Sequence, residues 1–190
     1  MEFAEKVGFV LLFAAFVVQC AAHPRFPLAL RRVWAMGIVG IGGTLASQAY
    51  AVYAGWQGSE LGKFFLPPYQ PFAYFFGYVG ERLFAPWGAA LAAAVLAVWI
   101  ARRMNQRYGG RFFESEEPML IGLCFFMSGY PAFFFYLAAM LVVGAGVSAV
   151  YQLHGWGRAP LYYWWVPVAL SVILLKVYLV PQSVLTFFVL

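Results

Sequence analysis

The sequence predicts an all-α, multi-pass helical membrane bundle, with about five transmembrane helices plus one interfacial or half-inserted helix. Three observations carry that expectation. The chain is 64% hydrophobic and only 10% charged, whereas a soluble domain carries roughly 25% charged residues. Its mean hydropathy is +0.79 over 190 residues, too apolar for a soluble fold to cover its own surface. The apolar residues are gathered into long blocks separated by short basic or Gly/Pro-rich stretches, as in helices that face hydrocarbon. Membrane β-barrels need short alternating segments instead.

The first block runs over about residues 3–22 and ends at His23-Pro24. Its leading end holds Glu2, Glu5 and Lys6, and the positive charge follows at Arg25, Arg31 and Arg32, the reverse of a cleaved signal. Gln19 before Cys20 also argues against a lipoprotein site, so the block reads as a span. The second span, 33–56, is Gly-rich in its first half. The loop WQGSELGKFFLPPYQP follows, with three prolines and the aromatic residues that favour a bilayer interface. Gly80-Glu81-Arg82 and Pro86 then interrupt the pattern, which suggests an interfacial or half-inserted helix over 72–84 and a span over 85–101.

The most polar stretch, RRMNQRYGGRFFESEEP, precedes a fourth block over 119–151. That block is too long for one straight span and too short for two. Ser128-Gly129-Tyr130-Pro131 is the expected break, since proline removes a helical hydrogen bond and clashes with the preceding turn. The fifth span covers 161–180, with Pro167 inside it and Lys176 near one end. No internal repeat interrupts this order, so residues 1–190 read as a single integral membrane domain.

Five spans place successive loops on alternate sides, and the positive-inside rule then orients them. The first loop holds Arg25, Arg31 and Arg32, and the third holds Arg102, Arg103, Arg107 and Arg111. The second has only Lys63 and the fourth only Arg158. The first and third loops are therefore expected inside and the N-terminus outside, in a bacterial cytoplasmic membrane. The net charge of +5 and pI of about 9.3 reflect this border charge rather than a nucleic-acid partner.

Charge within or beside a span is the most informative feature, because each charged side chain costs about 2.5–3.5 kcal/mol even on the lenient insertion scale. Glu81 and Arg82 either snorkel to water from an interfacial helix or pair with Lys176 or Arg158 around a polar cavity. Glu114, Glu116 and Glu117 sit where a helix N-terminus favours carboxylates. Together with Arg102, Arg103, Arg107 and Arg111 they are candidate contacts for anionic lipid headgroups or a protein partner. Small residues recur at four-residue spacing, Gly40 with Thr44, Gly42 with Ala46 and Gly43 with Ser47, then Gly88 with Ala92 and Ala89, Ala93 with Ala97. Such faces let helices approach closely.

The Gly cluster GIVGIGG lacks the strand that a phosphate loop requires. Cys20 and Cys124 have neither zinc nor disulfide-framework spacing. His23 and His154 are the only histidines. The alternating topology puts them at opposite faces, where they could share neither a haem nor a metal, so no cofactor is implied.

From about Glu81 to Leu175 the layout resembles the membrane half of the type IV prepilin peptidases, which are intramembrane aspartic proteases. The residues that carry the likeness are Gly109-Gly110 in a short polar loop, then PMLIGLCFFMSGYPAFFFYLAAMLVVGAGV and GRAPLYYWWVPVAL. The family's chemistry needs two aspartates, one of them in Gly-x-Gly-Asp. This chain has no Asp, and FESEEP stands in that place. The resemblance therefore implies a non-catalytic relative, unless a glutamate dyad such as Glu81 with Glu116 or Glu117 replaces the aspartates. The expected topology opposes that dyad.

No catalytic constellation stands out, and the leading expectation is a non-enzymatic subunit or scaffold of a membrane assembly. The partners would be the bilayer and other membrane subunits. A small transporter or channel-like protein with a polar cavity is the first alternative, and a degenerate prepilin-peptidase-like protein the second.

Overall fold

The computed structural model describes residues 3–21, 26–110, 112–156 and 159–178. These form α1 (Phe3–Ala21), α2 (Phe26–Gly58), α3 (Phe72–Val79), α4 (Ala85–Arg107), α5 (Glu117–Ser128), α6 (Ala132–Leu153) and α7 (Trp165–Tyr178). Helices cover nearly all of this, and a helix satisfies its backbone hydrogen bonds within its own segment. Among the described residues five helical stretches are long and apolar enough to cross a membrane: Phe3–Ala21, Phe26–Gly58, Phe72–Arg107, Ala132–Leu153 and Leu161–Tyr178.

Two of these extend beyond the expected spans. Helix α2 starts at Phe26, so Pro27, Arg31 and Arg32 lie in its opening turns rather than in a loop. A proline there costs little, because a first-turn amide has no intrahelical partner in any case. Residues 72–84 are not a separate interfacial helix. A π-helical turn, Gly80–Phe84, joins α3 to α4 without interruption. Pro86 lacks an amide hydrogen and crowds the preceding turn, and the wider π turn absorbs that defect in line with the helix axis.

The fourth block breaks where the glycine and proline predicted, between Ser128 and Ala132. Gly129 has φ +68 and ψ 173, a region that is essentially glycine's alone. The chain then reverses instead of continuing across. Helix α5 opens beside the start of α7, where Trp165 donates to Glu117, and it ends beside the far end of α7, where Lys176 reaches the Tyr130 carbonyl. Helix α6 therefore runs back, and Leu153 and Leu161 lie at the same end as the close of α4 and the start of α5. The 12 residues of α5 rise only about 18 Å, less than the roughly 30 Å that a membrane-crossing helix must cover.

This corrects the alternating topology after the third loop. His154 lies at the end of the bundle that holds Gln19 and Phe26, not at the opposite one. His23, Arg25, Arg111 and Arg158 lie outside the described residues.

Helix α5 is the axis of the bundle, with every residue from Leu120 to Gly129 buried. Its glycine positions set the approach of its neighbours. A Cβ at Gly122 would stand 3.2 Å from the Ala94 carbonyl and from the Trp34 ring, and one at Gly129 would stand 3.2 Å from Trp87. On the other side, Gly8 and Gly37 both close on Met127. The face of α4 that meets α5 is Trp87, Ala90, Ala94 and Ala101. Gly88 and Ala92 are exposed and Ala89, Ala93 and Ala97 are half-buried, so the small-residue period was right and its phase was shifted. On α2, Gly40 meets Val7, whereas Gly42 and Gly43 face open space.

Candidate functional site

Two polar ties fasten α1 to the stretch Leu161–Tyr178 that contains α7, one at each end. At the first, Glu5 forms an ion pair and hydrogen bond with the Lys176 ammonium, and Lys176 also donates to the Tyr130 carbonyl at 3.4 Å. Lys176 and Glu5 retain only 13% and 11% of their side-chain exposure. At the second, the Gln19 amide donates to the Tyr162 carbonyl at 3.0 Å. Fourteen residues of α1 separate Glu5 from Gln19, so the ties stand about 21 Å apart. The break at 129–131 creates the first site, because a carbonyl released from helical bonding is presented to the lysine.

At the Gln19 end the Glu117 carboxylate is buried and holds two elements together. One oxygen accepts from the Glu114 amide at 2.7 Å, and the other accepts from the Trp165 indole at 3.2 Å. Glu114 is exposed and Glu116 half-buried. Asn105 secures the same link: its amide nitrogen donates to the Phe113 carbonyl at 2.8 Å. Its oxygen accepts from the Phe112 and Phe113 amides at 3.3 and 3.0 Å. Sequence reasoning did not single out Glu5, Gln19 or Asn105. Glu5 inside an apolar block carried the same signal of cost as Glu81.

The remaining candidates separate. Glu81 and Arg82 are exposed on the π turn, and Lys176 is engaged with Glu5 instead of with them. Glu81 lies before Trp87, which packs on Gly129 at the end of α5, while Glu116 and Glu117 stand at its beginning. A Glu81 dyad with either is therefore separated by more than the length of α5. Arg102, Arg103 and Arg107 are exposed near the end of α4, and none is within ion-pair distance of Glu114, Glu116 or Glu117. Arg102 and Arg103 instead border a cavity of about 820 Å³ between α2, α4 and the start of α5.

Comparison with protein-family models, curated proteins and solved structures returned no match to this chain. Among the described residues the chain defines a helical bundle with five helices apolar and long enough to cross a membrane.

Proposed function

We propose that this protein is a multi-pass integral membrane protein, and that it serves as a non-enzymatic subunit or scaffold of a larger membrane assembly. The observation that supports this is a step in the bundle. The contacts of Gly37 with Met127 and Gly40 with Val7 fix α2 against α5 and α1, and Ile41 and Leu45 still lie in the main core, yet α2 continues to Gly58, about 20 Å past Leu45 at 1.5 Å per residue. The helix containing α4 likewise starts at Phe72, about 22 Å before its Trp87 contact with Gly129.

These extensions form a two-helix arm with its own small core of Leu66, Phe75 and Val79, flanked by Tyr53 and Trp56. Its outer surface is aromatic, with Tyr50, Tyr69, Phe72 and Phe76 all at least half exposed. Among the described residues α1, α5 and α7 do not accompany it. Helices of a partner subunit are suited to such a surface, since membrane helices associate by packing. Purification in mild detergent should retain a stoichiometric partner, and a photo-reactive residue at Phe76 should crosslink to it. Isolation of the chain alone from gentle, crosslinked preparations would overturn this reading.

The Glu5–Lys176 pair favours a second reading, a small transporter. Intramembrane charges beside a broken helix commonly mark substrate or ion paths. A substrate-dependent rise in melting temperature, abolished by Lys176→Met, would favour it over the subunit reading.

A further inference from the structure

The cavity beside Arg102 and Arg103 is amphipathic along its length. Its apolar wall is made by Trp34 and Trp99 with Val95 and Val98, and its polar rim by Arg102, Arg103 and Gln106. Trp34 is held in place, because its indole N–H donates to the Met119 carbonyl at 3.0 Å and its ring stacks on Phe126 at 5.7 Å. Trp99 is 62% exposed, so the apolar wall opens towards the surface of the bundle. The volume of about 820 Å³ falls within the roughly 300–1,000 Å³ of ordinary ligand sites.

The charge is one-sided. Among the described residues, two arginines and no carboxylate line the cavity, and neither arginine is ion-paired. Guanidinium groups bind phosphate oxygens through paired donors. Tryptophans beside them match the level at which acyl chains meet headgroups.

We infer that this groove is a binding site for an anionic phospholipid, whose phosphate meets Arg102, Arg103 and Gln106 and whose acyl chain lies against Trp34, Trp99 and Val95. The site deepens the border role expected of these arginines and does not depend on the subunit reading. Arg107, one turn further along α4, is exposed but does not line the groove, and so provides an internal control for charge alone.

The test uses the full chain in detergent micelles, with phosphatidylglycerol, phosphatidylcholine or inorganic phosphate added. Native mass spectrometry would count bound lipid, and brominated phosphatidylglycerol would quench tryptophan fluorescence. Phosphatidylglycerol should bind in preference to phosphatidylcholine, and inorganic phosphate should not displace it at equal concentration. Arg102→Gln with Arg103→Gln should weaken binding about tenfold or more, the scale of one lost charged hydrogen bond, while Arg107→Gln stays within about twofold. Because quenching could arise at any of the seven tryptophans, Trp99→Phe should remove a measurable share of it. Equal binding of the two lipids, equal losses in the Arg107 and Arg102/Arg103 variants, or displacement by inorganic phosphate would each overturn the inference.

Discussion

Replacing Lys176 with Met, Glu5 with Met, or both, probes the ion pair that joins the first helix to the last. Both side chains are nearly nine-tenths buried, and Tyr130 supplies the ammonium with a further acceptor. Removing one partner of a buried pair costs about 3–5 kcal/mol, because the other charge loses the opposite charge that offsets its burial. The residual exposure of 11–13% lets water reach the survivor, which favours the lower end, about 3 kcal/mol. For a chain of 150–250 residues 1 kcal/mol moves the melting temperature by about 2–4 °C, so each single variant should melt about 6–12 °C lower.

Replacing both partners removes the desolvation cost along with the attraction, and such exchanges are often neutral or stabilising. The double variant should therefore melt within about 3 °C of the parent, the shift of roughly 1 kcal/mol. The assay is a double-mutant cycle by thermal unfolding in one detergent, with SDS titration as a second measure of stability. Single variants indistinguishable from the parent, or a double variant as unstable as the sum of the two, would refute the reasoning. The first outcome would mean that the pair behaves as a surface ion pair, worth only about 0–1 kcal/mol.

Gly129→Ala should destabilise the bundle by about 2–4 kcal/mol, from the backbone strain at its positive φ together with a Cβ pressed on Trp87. Gly88→Ala, on the exposed side of α4 with open space around it, should instead stabilise by about 0.5–1 kcal/mol; both are read by melting temperature, and equal signs would contradict the packing described. Asn105→Ala removes three hydrogen bonds, so hydrogen exchange at the Phe112 and Phe113 amides should accelerate at least tenfold while α4 stays protected, at about 1.4 kcal/mol per tenfold. In a Cys20→Ser background, cysteines at Gln106 and Gln152 should react from one side of the membrane and one at Gln57 from the other. Labelling of Gln152 together with Gln57 would restore the alternating topology.

How far the sequence reached depends on the range of the forces involved. Blocks of apolar residues are a local property, so the all-α class and the presence of five long apolar helices were legible without tertiary information. The break at Gly129 to Pro131 was legible for the same reason, because proline and glycine act on the backbone of their own turn. The direction taken after the break was not. It depends on α5 ending level with Glu5 and Lys176, and those residues are 171 positions apart in the chain.

Phase shows the same division. Four-residue spacing of small residues identified α4 as a packing helix, but the choice of Ala90 and Ala94 over Gly88 and Ala92 was made by Gly122 on α5. Lys176 was recognisable from sequence as a costly charge, since the cost is set by its apolar surroundings. Its partner was decided only by the antiparallel contact of the first and last helices, which brings Glu5 beside it. Local hydrophobicity and backbone chemistry were therefore written in the chain. Helix direction, the packing face and charge pairing were decided by the tertiary structure, because each depends on residues distant in sequence that share a level in the bundle.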